Sequence, residues 1–349
     1  MRRALILTGV LVVLGGLIAG CGNSPVNAPT SNANTAAAQA RLTSIMAGAP
    51  QVIEDGQFES SEIATLDRGR TGELAAISPL RFWRTITHVE RSCDFAFSDP
   101  DSLGKPRQAI VTVTKVLTGS FNIATGVARS DTLAGDSIVV IHKPLEDHWV
   151  RKLLFIRVPH PARHDSTEDD EHGVGLSAVA DGDSGHDDGD DNDHDDGDDN
   201  DHHDEDWRLV GTSSVEVTSK DAQTRIMSLR VQATGLDTTL IDPLGLFHLR
   251  GVLSFDPGTE VTLTVTTLRS DDVVVLLLRG HRVSFTNNGD GTYTRVLQLP
   301  SEEGEHELRH IGVNAFSHGT LYDDQLPYDS QAWILPFMVK PNVMAEELH

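Results

Sequence analysis

The string His306-Glu307-Leu308-Arg309-His310 has the residue types and spacing for zinc-assisted hydrolysis. On a helix, residues i and i+4 share one face about 6 Å apart, so two imidazoles converge on one Zn²⁺ while the glutamate serves as general base. On a strand the same two residues share a face but stand ~13 Å apart. That is too far for one ion with bonds near ~2.0 Å. The conformation therefore decides the chemistry. Glycines at 304 and 312 bracket the string and leave little room for a helix, and Ile311, Val313 and Ala315 alternate as a strand does. Val313 and Phe316 stand where an extended zinc motif needs a glycine and a third histidine. The reading is strand, and no enzyme activity is expected. A zinc-dependent hydrolase using His306, Glu307 and His310 is the remote alternative.

A second constellation is compositional. The chain carries a net charge of −24, but Asp165–Asp206 holds twenty Asp/Glu and no Lys or Arg, so the remainder carries only −4. The eight residues His186–Asp193 recur as His194–Asp201, and a third copy starts at His202. Such a run repels itself, buries no core and is expected to be a disordered insertion or linker over 163–206. Carboxylates suit Ca²⁺ and imidazoles suit transition metals. The candidate ligands are His186, His194, His202 and His203 with Asp188 and Asp196. The pattern is not an EF-hand loop. His186 and His194 occupy its middle ligand position, and Asp195 and His203 stand where it needs a bidentate glutamate. Weak, multi-site binding of Ca²⁺ or transition-metal ions is the expectation. With the acidity confined to one segment and no basic patch elsewhere, a nucleic-acid partner is not expected.

The third chemical feature is a cysteine. Met1-Arg2-Arg3 is followed by an apolar stretch, Ala4–Gly20, which reads as a secretory signal. It ends Ile18-Ala19-Gly20-Cys21. This resembles the bacterial lipobox. The resemblance implies removal of residues 1–20, lipidation of Cys21, and a membrane partner through that lipid anchor. Gly22 in place of aspartate favours the outer membrane or cell surface over the inner membrane. Residues 21–45 are expected to form a lipidated, flexible tether poor in large apolar side chains. With Cys21 lipidated, Cys93 is the one remaining cysteine and is expected to be a buried free thiol.

Other elements must position these groups. Short helices are expected near Ala36–Met46 and Ser60–Asp67. β-branched alternation then predicts strands at Ala109–Leu117, Asp136–Lys143, Arg151–Val158, Trp207–Ser219 and Arg225–Ala233. In the last, Met227, Leu229, Val231 and Ala233 are expected on one buried face. Helix followed by a curved antiparallel sheet loosely resembles a cystatin-like or NTF2-like roll, and an α+β or mainly β domain is expected over 46–249. The polar residues Asp94, Asp99, Asp101, His142, Asp147 and His148 show no site spacing and are expected to face solvent or cap turns.

From residue 250 to 345, short strands alternate with turn signals. Glu260–Thr267 alternates, with Val261, Leu263 and Val265 inward. Val273–Arg279 is a continuous apolar run suited to a central strand. Asn287–Gly291 supplies the positive φ of a tight hairpin. Gly312–Phe316, Thr320–Tyr322 and Gln331–Val339 complete the set. With Pro257-Gly258, Asn287–Thr294, Gly312–Leu321 and Tyr328–Phe337, this part resembles bacterial immunoglobulin-like surface domains. The resemblance implies a β-sandwich with a spacer, adhesion or interaction role, its partner a protein or a surface polymer. The whole chain is therefore expected to be mainly β with a minor α+β part, and to act as a non-enzymatic envelope module.

Overall fold

The computed structural model describes residues 33–48, 64–65, 77–127, 137–158, 206–278, 281–300 and 309–340. The chain is mainly β, with antiparallel sheets and a minor helical part. Helix α1 (Ala33–Gly48) comes first, then β1 (Ala64–Thr65), β2 (Pro79–Pro100), β3 (Pro106–Val127), β4 (Ser137–Val158) and β5 (Asp206–Ser219). β6 (Ile226–Ala233), β7 (Leu236–Leu240), β8 (Phe247–His248), a 3₁₀ turn (Leu249–Gly251) and β9 (Leu253–Phe255) follow. Next come β10 (Glu260–Thr267), β11 (Val273–Leu278), β12 (His281–Ser284), β13 (Thr286–Asn287) and β14 (Thr292–Gln298). β15 (Arg309–Phe316), α2 (His318–Tyr322) and β16 (Ser330–Val339) close the described chain.

One sheet runs β1-β2-β3-β4-β5-β16-β15-β11-β12, with β8 added on β5 and β9 on β16; the other runs β13-β14-β10-β6-β7. The large sheet curls until its ends meet. β1 lies against β12. Phe82 on β2 contacts Phe316 on β15 with ring centroids 5.1 Å apart, and Arg282 on β12 lies over the Phe82 ring. The curl has an identifiable hinge in β2. The register slips between Ile86 and His88, opposite Gly119. A Cβ on Gly119 would lie 2.0 Å from the Thr85 carbonyl oxygen, so only glycine admits this bulge.

Between the two sheets lies a sandwich core. β6, β10 and β14 supply Leu229, Val231, Val261, Leu263, Val265 and Tyr293, and these pack on Val274, Leu276, Ile311, Val313, Trp333 and Leu335. The expected inward set of β10 is fully buried. β11 is central, between β12 and β15, and buries both faces. On the outer side of that same sheet, Leu277, Ala332 and Ile334 meet the concave face of β3–β5 together with Leu42 and Met46 of α1.

Several expectations are corrected. The helix near Ala36–Met46 spans Ala33–Gly48 and buries Ala38, Leu42 and Met46, so residues 33–45 are packed helix rather than tether. Ala64–Thr65, expected within a second helix, pairs with β2 as strand. The segments around Asp136–Lys143 and Arg151–Val158 are one strand, β4, that runs through Pro144. β5 pairs with β4 only from Asp147 onward, so at Pro144 β4 has a neighbour on one side alone and its missing N–H is tolerated. Thr320–Tyr322 is helix, started by Ser317, whose side chain accepts from the Thr320 amide. Met227 is 52% exposed. A register slip against β10 at Thr266/Thr267 puts Ile226 in its place.

The strand expected in the curved N-terminal sheet, β6, instead pairs with β10, and β5 pairs with β16. The sandwich thus draws strands from both sides of residue 250. The connection 159–205 joins the two strands of one hairpin, because Val158 lies directly opposite Asp206.

Candidate functional site

The concave face of the curled sheet carries a cluster of buried charged and aromatic side chains. On β4, strict alternation turns Lys143, Leu145, Asp147, Trp149, Arg151, Leu153 and Phe155 to that face, and all are buried. Register sets Lys115 of β3 opposite Trp149 and Phe121 of β3 between Arg84 of β2 and Lys143. Charged and aromatic groups therefore alternate in an interior belt between two apolar clusters.

Tyr328 organises the belt. Arg84 donates Nη2–H to the Tyr328 hydroxyl at 2.8 Å, and that hydroxyl donates to Asp147 Oδ2 at 3.1 Å. Ser330 Oγ donates to the same phenol oxygen at 2.7 Å. Arg84 Nε stands 3.7 Å from Asp147 Oδ2. Burial raises the Asp147 pKa, while the Arg84 charge and the Tyr328 hydrogen bond oppose the rise. Burial also pushes the Tyr328 phenol above its ordinary range. Lys115 Nζ sits 4.7 Å from the Trp149 ring centre, a cation–π contact in a desolvated setting. Arg151 Nε donates to Thr212 Oγ1 at 3.0 Å. Lys143 donates to the Gly319 and Asp323 carbonyls, which binds α2 to β4. Burial lowers its pKa to about 8, against the pull of Asp323 and Asp324.

An Arg–Tyr–Asp relay could in principle move a proton. All three of its side chains are buried: Arg84, Asp147 and Tyr328 are 1%, 0% and 5% exposed. The bonds span 244 and 181 residues of sequence. They tie the N-terminal strands to the segment before β16, which makes the relay a clasp for the curl.

His310 lies on β15 opposite Pro336, in strand conformation. Burial first, and then the Arg151 charge, lower its pKa to about 4, so its imidazole is neutral at physiological pH. His306 and Glu307 lie outside the described residues, as do Cys21, His186, Asp188, His194, Asp196, His202 and His203. No grouping of three metal-ligating side chains exists among the described residues. Cys93 is half-buried and disulfide-bonded rather than a free thiol.

Asp147, expected at the surface, is the most consequential correction. Its signal was the alternation of 143–155, in which one face mixes charges with Leu, Trp and Phe. A charge on an apolar face suggests a wet face unless its partners are known, and Arg84 and Tyr328 are far away in sequence. Asp101 does cap a turn, accepting from the Leu103 and Lys105 amides, and it pairs with Arg157. These hydrogen bonds and the Arg157 guanidinium lower its pKa to about 2.

No family model matches the chain, and neither a curated protein nor a solved structure matches it.

Proposed function

We propose that this chain is an exported cell-envelope lipoprotein, anchored through Cys21, that works by binding or scaffolding rather than by catalysis. The observation that carries the non-catalytic reading is the sealing of the belt. Its titratable groups are spent on each other and on closing the fold. The anchor rests on the Ile18-Ala19-Gly20-Cys21 string. The partner is a protein or surface polymer engaged by the immunoglobulin-like part.

Radiolabelled palmitate tests the anchor in a bacterial host. Wild type takes up label and sediments with envelope membranes; Cys21→Ser loses the label and is shed. Equal labelling of both would sink the anchor. Lipidation ties up the Cys21 sulfur as a thioether, and the chain has two cysteines in all. The disulfide at Cys93 favours a second reading, a secreted protein without lipid. Thiol titration of membrane-extracted protein separates the two. One free thiol accompanies an anchored Cys21, and none accompanies a disulfide.

Divalent-cation binding through the Asp/His-rich connection is an additional role in this proposal. Calorimetric titration of Ca²⁺ and Zn²⁺ into the full chain is expected to show several weak sites, with dissociation constants no tighter than about micromolar. A chain lacking residues 181–205 is expected to show none of them.

A further inference from the structure

The described part of the fold has a second interior, and it is open. The two sheets of the sandwich part at one end, where β8, the 3₁₀ turn and β9 fill the gap between β6–β7 and β16. A cavity of about 170 Å³ remains there. Its walls are Val231, Leu240, Phe247, Leu253 and Leu335 with Pro336. Its polar lining residues are Ser214, Thr238 and Thr239; Thr238, opposite Val231, is on the inward face of β7, and Thr239, opposite Arg230, is on the outward one. Thr238 and Thr239 are exposed, which puts the mouth on their side.

Two backbone irregularities build this cavity. β5 bulges between Thr212 and Val215, where β4 has Leu153 and Arg151 opposite, and Ser213 Oγ takes the Lys152 amide that the ladder would have used. Bulges re-aim side chains, and this one sets Ser214 on the cavity wall. One step earlier, Gly211 lets β8 approach. A Cβ there would lie 2.9 Å from the Phe247 carbonyl oxygen. That approach delivers the Phe247 ring to the wall. Neither device is needed by the Arg84–Tyr328–Asp147 clasp.

The chemistry of the lining selects the occupant. No charged side chain lines the cavity, so it disfavours ions. An apolar cavity of ~150 Å³ stays dry and admits benzene, so this one has room for a single six-membered ring. The hydroxyls supply one hydrogen-bonding end. We propose that this cavity binds a neutral monocyclic ligand of the phenol class, with the ring against Leu240, Leu253 and Leu335 and the ligand hydroxyl bonded to Ser214. This deepens the binding reading above, yet its failure would leave the anchor and the partner role standing.

Methyl NMR of the full chain, titrated with phenol and separately with toluene, tests the proposal. Phenol is expected to shift the Val231, Leu240, Leu253 and Leu335 methyl signals saturably, with a dissociation constant of about 1 mM for so small a ligand. Toluene is expected to bind roughly tenfold more weakly, the loss of one hydrogen bond. Ser214→Ala should abolish that preference while leaving toluene binding unchanged. Leu240→Trp, on the edge strand β7, should fill the cavity and remove saturable binding of both. Linear, unsaturated shifts in wild type, or saturable phenol binding undiminished in a folded Leu240→Trp chain, would overturn the site. Equal affinity for phenol and toluene in wild type would overturn the hydroxyl assignment, and that comparison needs no variant to fold.

Discussion

Tyr328 donates its hydroxyl proton to Asp147 Oδ2 at 3.1 Å, across 181 residues of sequence, while Arg84 and Ser330 donate to its oxygen. Tyr328→Phe keeps the ring packing on Phe121 and Phe316 but strips all three bonds. The expected loss is about 2 kcal/mol, mostly the cost of leaving buried partners unpaired. Urea unfolding of the two proteins measures it. A change below about 0.5 kcal/mol would show that the clasp does not hold the curl.

Asn314 on β15 is fully buried, and neither its Oδ1 nor its Nδ2 has a hydrogen-bond partner. Its register neighbours Val275 and Ala332 are apolar. Asn314→Leu, near in size, is expected to stabilise the protein by about 1 kcal/mol, since it removes an unsatisfied buried amide. Destabilisation in the same urea assay would mean that the amide is bonded in solution.

Gly119→Ala should be among the most harmful single-methyl changes. The Thr85 backbone oxygen cannot yield as a side-chain tip can. A cost of about 3 kcal/mol is expected, with loss of the β2–β3 register as seen in amide exchange. Gly235→Ala makes a useful contrast. Its Cβ would meet nothing within 4 Å, so any penalty there comes from its φ of 76°.

Two buried groups shape the pH dependence in opposite directions. Asp272 is 2% exposed, and burial pushes it up to about 7, with Asp271 and Asp329 adding to the rise. The Thr267 side chain and the Arg269 charge oppose the rise without cancelling it. A carboxyl with a raised folded pKa penalises folding as pH climbs from about 4 to 7. His310, lowered to about 4, penalises folding as pH falls from about 6.5 to 4. Asp272→Asn is therefore expected to raise the melting temperature at pH 8 by a few degrees and to change little at pH 4. His310→Gln should do the reverse, helping at pH 4 and not at pH 8. Thermal melts across that range read both. An Asp272→Asn gain as large at pH 4 as at pH 8 would contradict the assigned titration.

Removing residues 181–205 while keeping Asp206, which pairs with Val158, is expected to leave the melting temperature within a few degrees of wild type. Unfolding of that variant would show that the connection is part of the core.

Local pattern made much of the sandwich legible. Val261, Leu263 and Val265 announced their buried face, and Gly289 and Gly291 adopt the positive φ expected of the Asn287–Gly291 turn. What local pattern could not show was which sheet a strand joins. β6 and β5 both read as strands, yet β6 joined β10 in the other sheet, and β5, besides its neighbour β4, took β16, because partner choice depends on distant apolar faces. The phenol-sized cavity was equally hidden. It depends on a bulge at Ser213-Ser214 and a close approach at Gly211, and neither is marked by periodicity. The second histidine of the 306–310 string falls on strand as the glycine brackets implied, and Asp147 was hidden by the same alternation that buried it.

The pinning of Val158 against Asp206 has a consequence for how this gene can change. Both ends of the acidic connection are fixed side by side, so adding or losing an eight-residue copy moves neither β4 nor β5. Doubling the whole connection would cost only about 0.6 kcal/mol of closure entropy. Tandem duplication can therefore adjust the number of aspartates and histidines displayed, as a dial turned independently of the fold that carries it.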